Sequence, residues 1–205
     1  MADTKEIVTL STIEDVIESE KPSIPVYALR PASRKKSATW FTENFKGRVL
    51  YSVKSNPDVR ALCYLYESGV RSFDVASLSE VRLINTLFPT AEMFFMHPIK
   101  SREAIREAYF NYGIKTFSLD SSDELEKILE ETNHASDLSL HVRVAMVDSG
   151  AIINLSSKFG IAPSESLDLI RATRKAAKTF GLCFHVGSQC LDPVEYEKAM
   201  NIVMS

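Results

Sequence analysis

From residue 47 onward the chain switches repeatedly between two hydrophobic periods. Short runs in which alternate residues are apolar give way to longer runs with apolar residues three and four apart. The first kind predicts strands over 48–54, 71–76, 92–97, 115–119, 138–146 and 182–187. The second predicts helices over 58–68, 77–87, 102–111, 122–132 and 164–180, with a last one opening near Pro193. Asn56-Pro57 and Gly69 punctuate the junctions, and Ser77 with Glu80 and Ser121 with Glu124 stand in capping-box register. An irregular segment, Val147 to Gly160, interrupts the rhythm. Ahead of the repeat, an amphipathic helix spans Thr12 to Glu20, capped by Ser11 or Thr12. Pro25–Leu29 reads as a strand, and Pro31 opens a helix to about Phe45. Strands alternating strictly with helices across short links mean a parallel sheet with helices outside, an α/β fold.

The six strand–helix units after residue 47 recur at the spacing of a TIM barrel, whose full complement is eight. A strand covered on both sides is expected to be apolar on both. Here several have one polar face: Ser52 and Lys54, Ser72 and Asp74, Ser139, His141 and Arg143, Cys183 and His185. One face therefore packs under helices and the other converges on a polar interior, with chemistry expected at the strands' C-terminal ends. Six units rather than eight imply a barrel that is truncated, with residues 1–24 as an N-terminal helical segment and 25–205 as the partial barrel.

A lysine fixed at a strand end is useful if its amine is held and partly dried, since desolvation lowers its pKa and frees the lone pair for attack on a carbonyl. Taken alone, Lys54 reads first as a solvated strand-end lysine, His185 as a hydrogen-bonded core histidine, and Arg143 as one member of a buried network with Asp74. Lysine, aspartate, arginine and histidine from four strands directed into one volume shift that reading toward a site. Asp120, Asp123, Glu124, Glu126, Glu130 and Glu131 read as helix capping and a solvated face, and Phe94-Phe95-Met96 as a barrel strand.

Composition adds exclusions. At 45% hydrophobic and 25% charged the 205-residue chain is ordinarily globular, and a net charge of −3 argues against a nucleic-acid partner. Arg34-Lys35-Lys36 reads as a solvated face. Cys63, Cys183 and Cys190 lack metal-ligand spacing and read as reduced thiols, so no metal is expected. The N-terminus lacks the apolar stretch of a signal peptide, and no run is long enough to span a bilayer. A soluble, cytoplasmic protein with no membrane partner is expected.

Four motifs then carry a resemblance. Tyr51-Ser52-Val53-Lys54-Ser55-Asn56-Pro57, Phe73-Asp74-Val75-Ala76-Ser77, Ser157-Lys158-Phe159-Gly160 and His185-Val186-Gly187-Ser188 occur in the order and spacing of the basic amino-acid decarboxylases with the alanine-racemase-like fold. Met96-His97-Pro98-Ile99-Lys100-Ser101 and Gly187-Ser188-Gln189-Cys190 look most like the bacterial ornithine/lysine branch, and the similarity runs from about Pro25 to the last residue.

The resemblance implies pyridoxal 5'-phosphate as cofactor and a basic amino acid, ornithine or lysine, as substrate, with the diamine of polyamine biosynthesis as product. It implies that Lys54 holds the cofactor as a Schiff base and is the catalytic residue, and that His185 stacks on its ring. It makes Ser188 a phosphate ligand, Asp74 the acidic neighbour of the lysine, and Arg143 a group beneath the cofactor. A Gly-Ser turn leading into a helix suits an anion on physical grounds as well. Lys158 is implied at the interface of a homodimer. A C-terminal β-domain, with the ring-nitrogen glutamate, a glycine-rich phosphate loop and part of the substrate site, is implied beyond Ser205. The 205-residue chain alone is therefore expected to show little or no decarboxylation. A diaminopimelate decarboxylase relative, a non-catalytic regulatory or binding homologue, and a cofactor-free lysine-dependent barrel lyase remain as alternatives.

Overall fold

The structure, a computed structural model, describes residues 12–146 and 158–204. Residues 147–157 of the expected irregular segment, including the Ser157 of its motif, and the Ser11 alternative for the first cap lie outside those residues.

Polar side chains placed just ahead of apolar runs start most of the helices. Helix α1 (Ile13–Glu20) opens on a complete capping box. Thr12 Oγ1 accepts from the Asp15 N–H at 3.0 Å, and Asp15 Oδ2 accepts from the Thr12 N–H at 2.9 Å. Helix α2 (Pro31–Asn44) starts on proline, whose missing N–H costs nothing in a first turn. Asp58 caps α3 (Val59–Glu67), Ser77 caps α4 (Leu78–Leu87), Ser101 caps α5 (Arg102–Tyr112) and Ser121 caps α6 (Ser122–Glu131). Between them run β1 (Leu50–Ser52), β2 (Ser72–Val75), β3 (Glu92–Phe95), β4 (Thr116–Leu119) and β5 (Ser139–Arg143). Helix α7 (Ser166–Ala176), β6 (Thr179–Cys183) and α8 (Val194–Met204) follow.

All neighbouring strands are parallel, in the order β1-β2-β3-β4-β5-β6. The registers make the alternation physical. Phe73, Val75, Met93, Phe95, Phe117, Leu119, Leu140 and Val142 lie on the helix side, each at most 8% exposed. Phe73, Phe95 and Phe117 are essentially sealed, and each such ring stabilises the fold by roughly 1.5–3 kcal/mol. The opposite face carries Ser52, Asp74, Ser118, His141, Arg143 and Cys183. The edge strands β1 and β6 are the least covered, as an open sheet requires.

The chain departs from the expected boundaries in three places. Pro25–Leu29 forms no strand: extended backbone becomes a strand only by pairing, β1 is already the sheet edge, and Tyr27 is fully exposed. Strand β1 stops at Ser52 and turns into a 3₁₀ turn over Val53–Ser55, so Lys54 leaves the strand. Helix α7 ends at Ala176, and β6 begins at Thr179, within the run expected to be helical. The backbone N–H groups of Lys178 and Thr179 donate to the Leu138 carbonyl at 2.9 and 3.2 Å, which draws the chain into the sheet.

Candidate active site

At the C-terminal end of β1 the 3₁₀ turn is pinned from both sides. Val53 is fully buried beneath it, the Ser55 hydroxyl donates to the Ser52 carbonyl at 2.7 Å, and the Asn56 N–H donates to Val53 O at 3.2 Å. Lys54, on the crown of the turn, is exposed rather than dried, because the chain breaks away from the sheet one step before it. Next to it Ser52 Oγ donates to Asp74 Oδ2 at 2.6 Å across the β1–β2 register. The aspartate's direct contact is thus the serine hydroxyl. Ser52 is a site residue that sequence reasoning left unassigned, although its place on the polar face marked it.

Across the sheet, β5 delivers Arg143 half-buried at its end. Burial draws its guanidinium below the ordinary arginine range, against the opposing pull of Cys183, Asp120 and Asp74. Arg143 Cζ lies over the Phe159 ring, 5.3 Å from its centroid. On the same face His141 packs where a side chain at Gly181 would collide, a Cβ there falling 2.6 Å from Nδ1, and burial lowers its pKa. Cys183 is pushed up to about 12 by burial, so its thiol stays protonated and inert, in keeping with a packing role.

Two residues beyond β6, His185 Nδ1 accepts the Gly187 N–H at 2.8 Å, which places the ring proton on Nε2 and keeps the imidazole neutral. Partial desolvation lowers its pKa, followed by the positive charges of Arg143 and Lys54; Asp74 opposes them. His185 thus feels the charges of Lys54, Asp74 and Arg143, although Lys54 and His185 lie just past their strands rather than on the sheet face. Ser188 follows half-buried in a turn flanked by left-handed backbone at Gly187 (φ 106°) and Gln189 (φ 57°). The last helix follows a short way beyond, close to its expected start near Pro193. Helix α8 starts at Val194, whose N–H is capped by Asp192 Oδ1 at 2.9 Å.

The depressed imidazoles set a pH dependence. Below about pH 6.5, the ordinary histidine value, the unfolded chain binds protons that folded His185 and His141 refuse, so stability falls as pH drops through that region. Denaturant midpoints measured from pH 7.5 to 5.5 are expected to decline, and to decline less in His185→Asn. An equal slope in both proteins would show that His185 is not held neutral.

One buried pair escaped the sequence reading. The Lys100 side chain is 0% exposed and its ammonium lies 2.9 Å from Glu124 Oε1. It also donates to the carbonyls of Ser118 (2.6 Å) and His97 (2.9 Å). Glu124, expected on a solvated face, is buried, and so is Glu131, which Arg102 and Arg106 reach. Asp120 is not merely a capping residue either: its Oδ2 accepts the Gly160 N–H at 2.8 Å. Among the described residues no cluster of three or more His, Cys, Asp or Glu side chains is placed to hold a metal, and no helix is long and apolar enough to cross a membrane.

A parallel sheet with helices on one face, and with an amine, a carboxylate, a guanidinium and a neutral imidazole grouped at its C-terminal rim, defines a cofactor-binding domain of the βα-barrel class. Residues 32–205 match the pyridoxal binding domain of the pyridoxal-dependent decarboxylases, and the chain belongs to that family. The lysine/ornithine decarboxylase of Selenomonas ruminantium is 34% identical over 154 residues, covering 74% of this chain and 38% of that protein. Ornithine decarboxylase of Mus musculus is 33% identical over 169 residues, covering 82% and 36% respectively. Among solved structures, lysine decarboxylase from S. ruminantium superposes with a TM-score of 0.77 at 26% identity, covering 97% of this chain and 51% of its own. The lysine/ornithine decarboxylase of Vibrio vulnificus complexed with putrescine gives 0.74 at 28%, covering 93% and 49%. The chain thus spans little more than a third of the sequence relatives and about half of the solved ones. The cofactor of this domain is pyridoxal phosphate.

Proposed function

We propose that this chain is the cofactor-holding part of a decarboxylase acting on ornithine or lysine and releasing the corresponding diamine, a step of polyamine synthesis. The single observation that carries the reading is the placement of Lys54, Asp74, Arg143 and His185 at the C-terminal ends of β1, β2, β5 and β6. The donor set fits a phosphorylated aromatic aldehyde: an accessible amine for the carbonyl carbon, a neutral ring to stack, a hydroxyl in a turn of left-handed backbone, and a guanidinium beneath.

When bound, pyridoxal phosphate supplies the electron sink that makes loss of carbon dioxide feasible. The residues of the chain hold and orient. Lys54 is the catalytic lysine that tethers the aldehyde carbon. Asp74, steadied by Ser52, favours a positive charge near that amine, Ser188 receives the phosphate, and His185 covers the ring without adding charge. Arg143, at the end of β5, would lie beneath the cofactor. In the full assembly Lys158 contributes to a homodimer in the cytoplasm. The relatives are much longer than the part matched, so the 205-residue polypeptide by itself is expected to turn over little substrate.

The test is intact mass and peptide mapping after incubation with pyridoxal phosphate and borohydride reduction. One pyridoxyl adduct on Lys54, absent in Lys54→Ala, is expected. No adduct, or one that persists in Lys54→Ala, would overturn the assignment and favour a non-catalytic homologue.

A further inference from the structure

Arg143 closes the polar face of β5, and its guanidinium is not left to find its own direction. The Phe159 ring lies beneath it at 5.3 Å, and His97 meets that ring edge-to-face, with centroids 5.2 Å apart. The backbone carrying Phe159 is fixed as well. Asp120 Oδ2 holds the Gly160 N–H at 2.8 Å, and Ile161 runs parallel to the end of β5. The Ile161 N–H donates to Arg143 O, and its carbonyl accepts the Ala145 N–H, both at 2.9 Å. A long, flexible arginine therefore meets a planar surface whose position is set by two neighbouring βα links.

We propose that Phe159, anchored through Asp120 and in edge contact with His97, is a positioning residue that sets the direction of the Arg143 guanidinium toward the cofactor. The inference rests on the functional reading above only for what the guanidinium serves; the stacking itself stands on the geometry. Neither Phe159 nor Asp120 touches the reacting atoms, so each acts through Arg143. An aromatic face fixes the plane of the guanidinium while leaving its edge N–H groups free to donate. An aliphatic side chain of similar size would fill the space without fixing the plane.

The experiment uses the whole chain and two readouts. The first is the side-chain N–H resonance of Arg143 in the protein without cofactor. The stacked ring displaces it, so it is expected to move toward its free-arginine position in Phe159→Leu and to stay put in Phe159→Tyr. Asp120→Ala, which releases Gly160 without touching the ring, is expected to shift it part of the way, and serves if Phe159→Leu does not fold. The second readout is the dissociation constant for pyridoxal phosphate. Phe159→Leu is expected to raise it about two- to thirtyfold, the equivalent of one cation–π contact. In an Arg143→Met background the same change is expected to add nothing. An unmoved resonance in both variants, or a full loss of affinity that persists without Arg143, would overturn the positioning role. If the wild-type chain takes up no pyridoxal phosphate, the functional reading fails while the resonance still decides this one.

Discussion

Glutamine in place of Glu124 is expected to cost about 3 kcal/mol of folding stability at pH 7, the lower end of the range for removing one partner of a buried ion pair. Glutamine keeps the volume of the side chain and can still accept the Lys100 N–H, which reaches Glu124 Oε1 at 3.2 Å. It cannot neutralise an ammonium whose side chain is wholly enclosed. Even with Glu124 present, burial outweighs the pairing and pulls Lys100 from the ordinary lysine value down to about 8. Without the carboxylate, and with Lys127 still nearby, the amine sheds its proton more readily, and that escape limits the loss. The sign follows from linkage. Between about pH 8 and the ordinary lysine value near 10.4, the unfolded chain binds a proton that the folded chain does not. Stability from this group therefore rises through that window and is lost as pH falls through about 8. In Glu124→Gln the window opens at lower pH, so the deficit measured by denaturant titration is expected to be smaller at pH 9 than at pH 7. Lys100→Met combined with Glu124→Gln removes the charge altogether and is expected to recover part of the loss. Recovery stays incomplete because the His97 and Ser118 carbonyls lose their donor. A Glu124→Gln loss below about 0.5 kcal/mol, the range of ordinary surface changes, would mean that the pair is not buried in solution.

That pair shows where sequence reasoning stopped and why. Ser77 with Glu80 and Ser121 with Glu124 present the same three-residue spacing, and in both the serine caps the helix as the spacing requires. The carboxylates go elsewhere. Glu80 accepts from the Ala76 N–H, and Glu124 reaches the loop after β3 to meet the backbone and ammonium of Lys100. Local spacing fixes the helix start; only the packing of adjacent βα links decides what the carboxylate finds. The same division holds for the strands. Asp74, His141 and Arg143 announced the polar face, and Phe73, Phe95, Phe117 and Leu140 fall on the covered one because parallel registers keep every second residue together. The end of α7 was not legible, since Arg171 to Lys178 is good helix sequence with no stop before Gly181. What stops it is pairing with Leu138, 40 residues earlier in the case of Lys178. Lys54 stands in the turn after β1 and His185 two residues past β6, where parity no longer applies, whereas strand parity puts Asp74 and Arg143 on the polar face. Ser52, on the same parity, was passed over because a serine carries no charge to draw attention, and Phe159 because its value lies in the guanidinium above it.

Alanine at Gly160 tests the other structural point on which the site depends. Gly160 has φ +97°, and a Cβ there would fall 2.7 Å from Ala145 N, 2.9 Å from its Cα and 3.0 Å from the Val144 carbonyl carbon. These are backbone atoms at the end of β5, held by the Ile161 hydrogen bonds, so they cannot swing aside as a side chain would. The expected loss is about 2–4 kcal/mol: about 1–2 for left-handed backbone in a residue with a Cβ, and the rest for overpacking. Gly69 separates the two contributions. Its φ is +98°, nearly the same, but a Cβ there meets nothing within 4 Å. Gly69→Ala is therefore expected to cost only the backbone share, about 1–2 kcal/mol, and to leave pyridoxal phosphate binding unchanged. Gly160→Ala is expected to cost more and also to weaken cofactor binding. The added methyl pushes the 158–161 segment off β5 and carries Phe159 away from the guanidinium. Equal losses at the two glycines would show that the segment yields without strain. The close approach of Gly160 to Ala145 would then have no part in shaping the site.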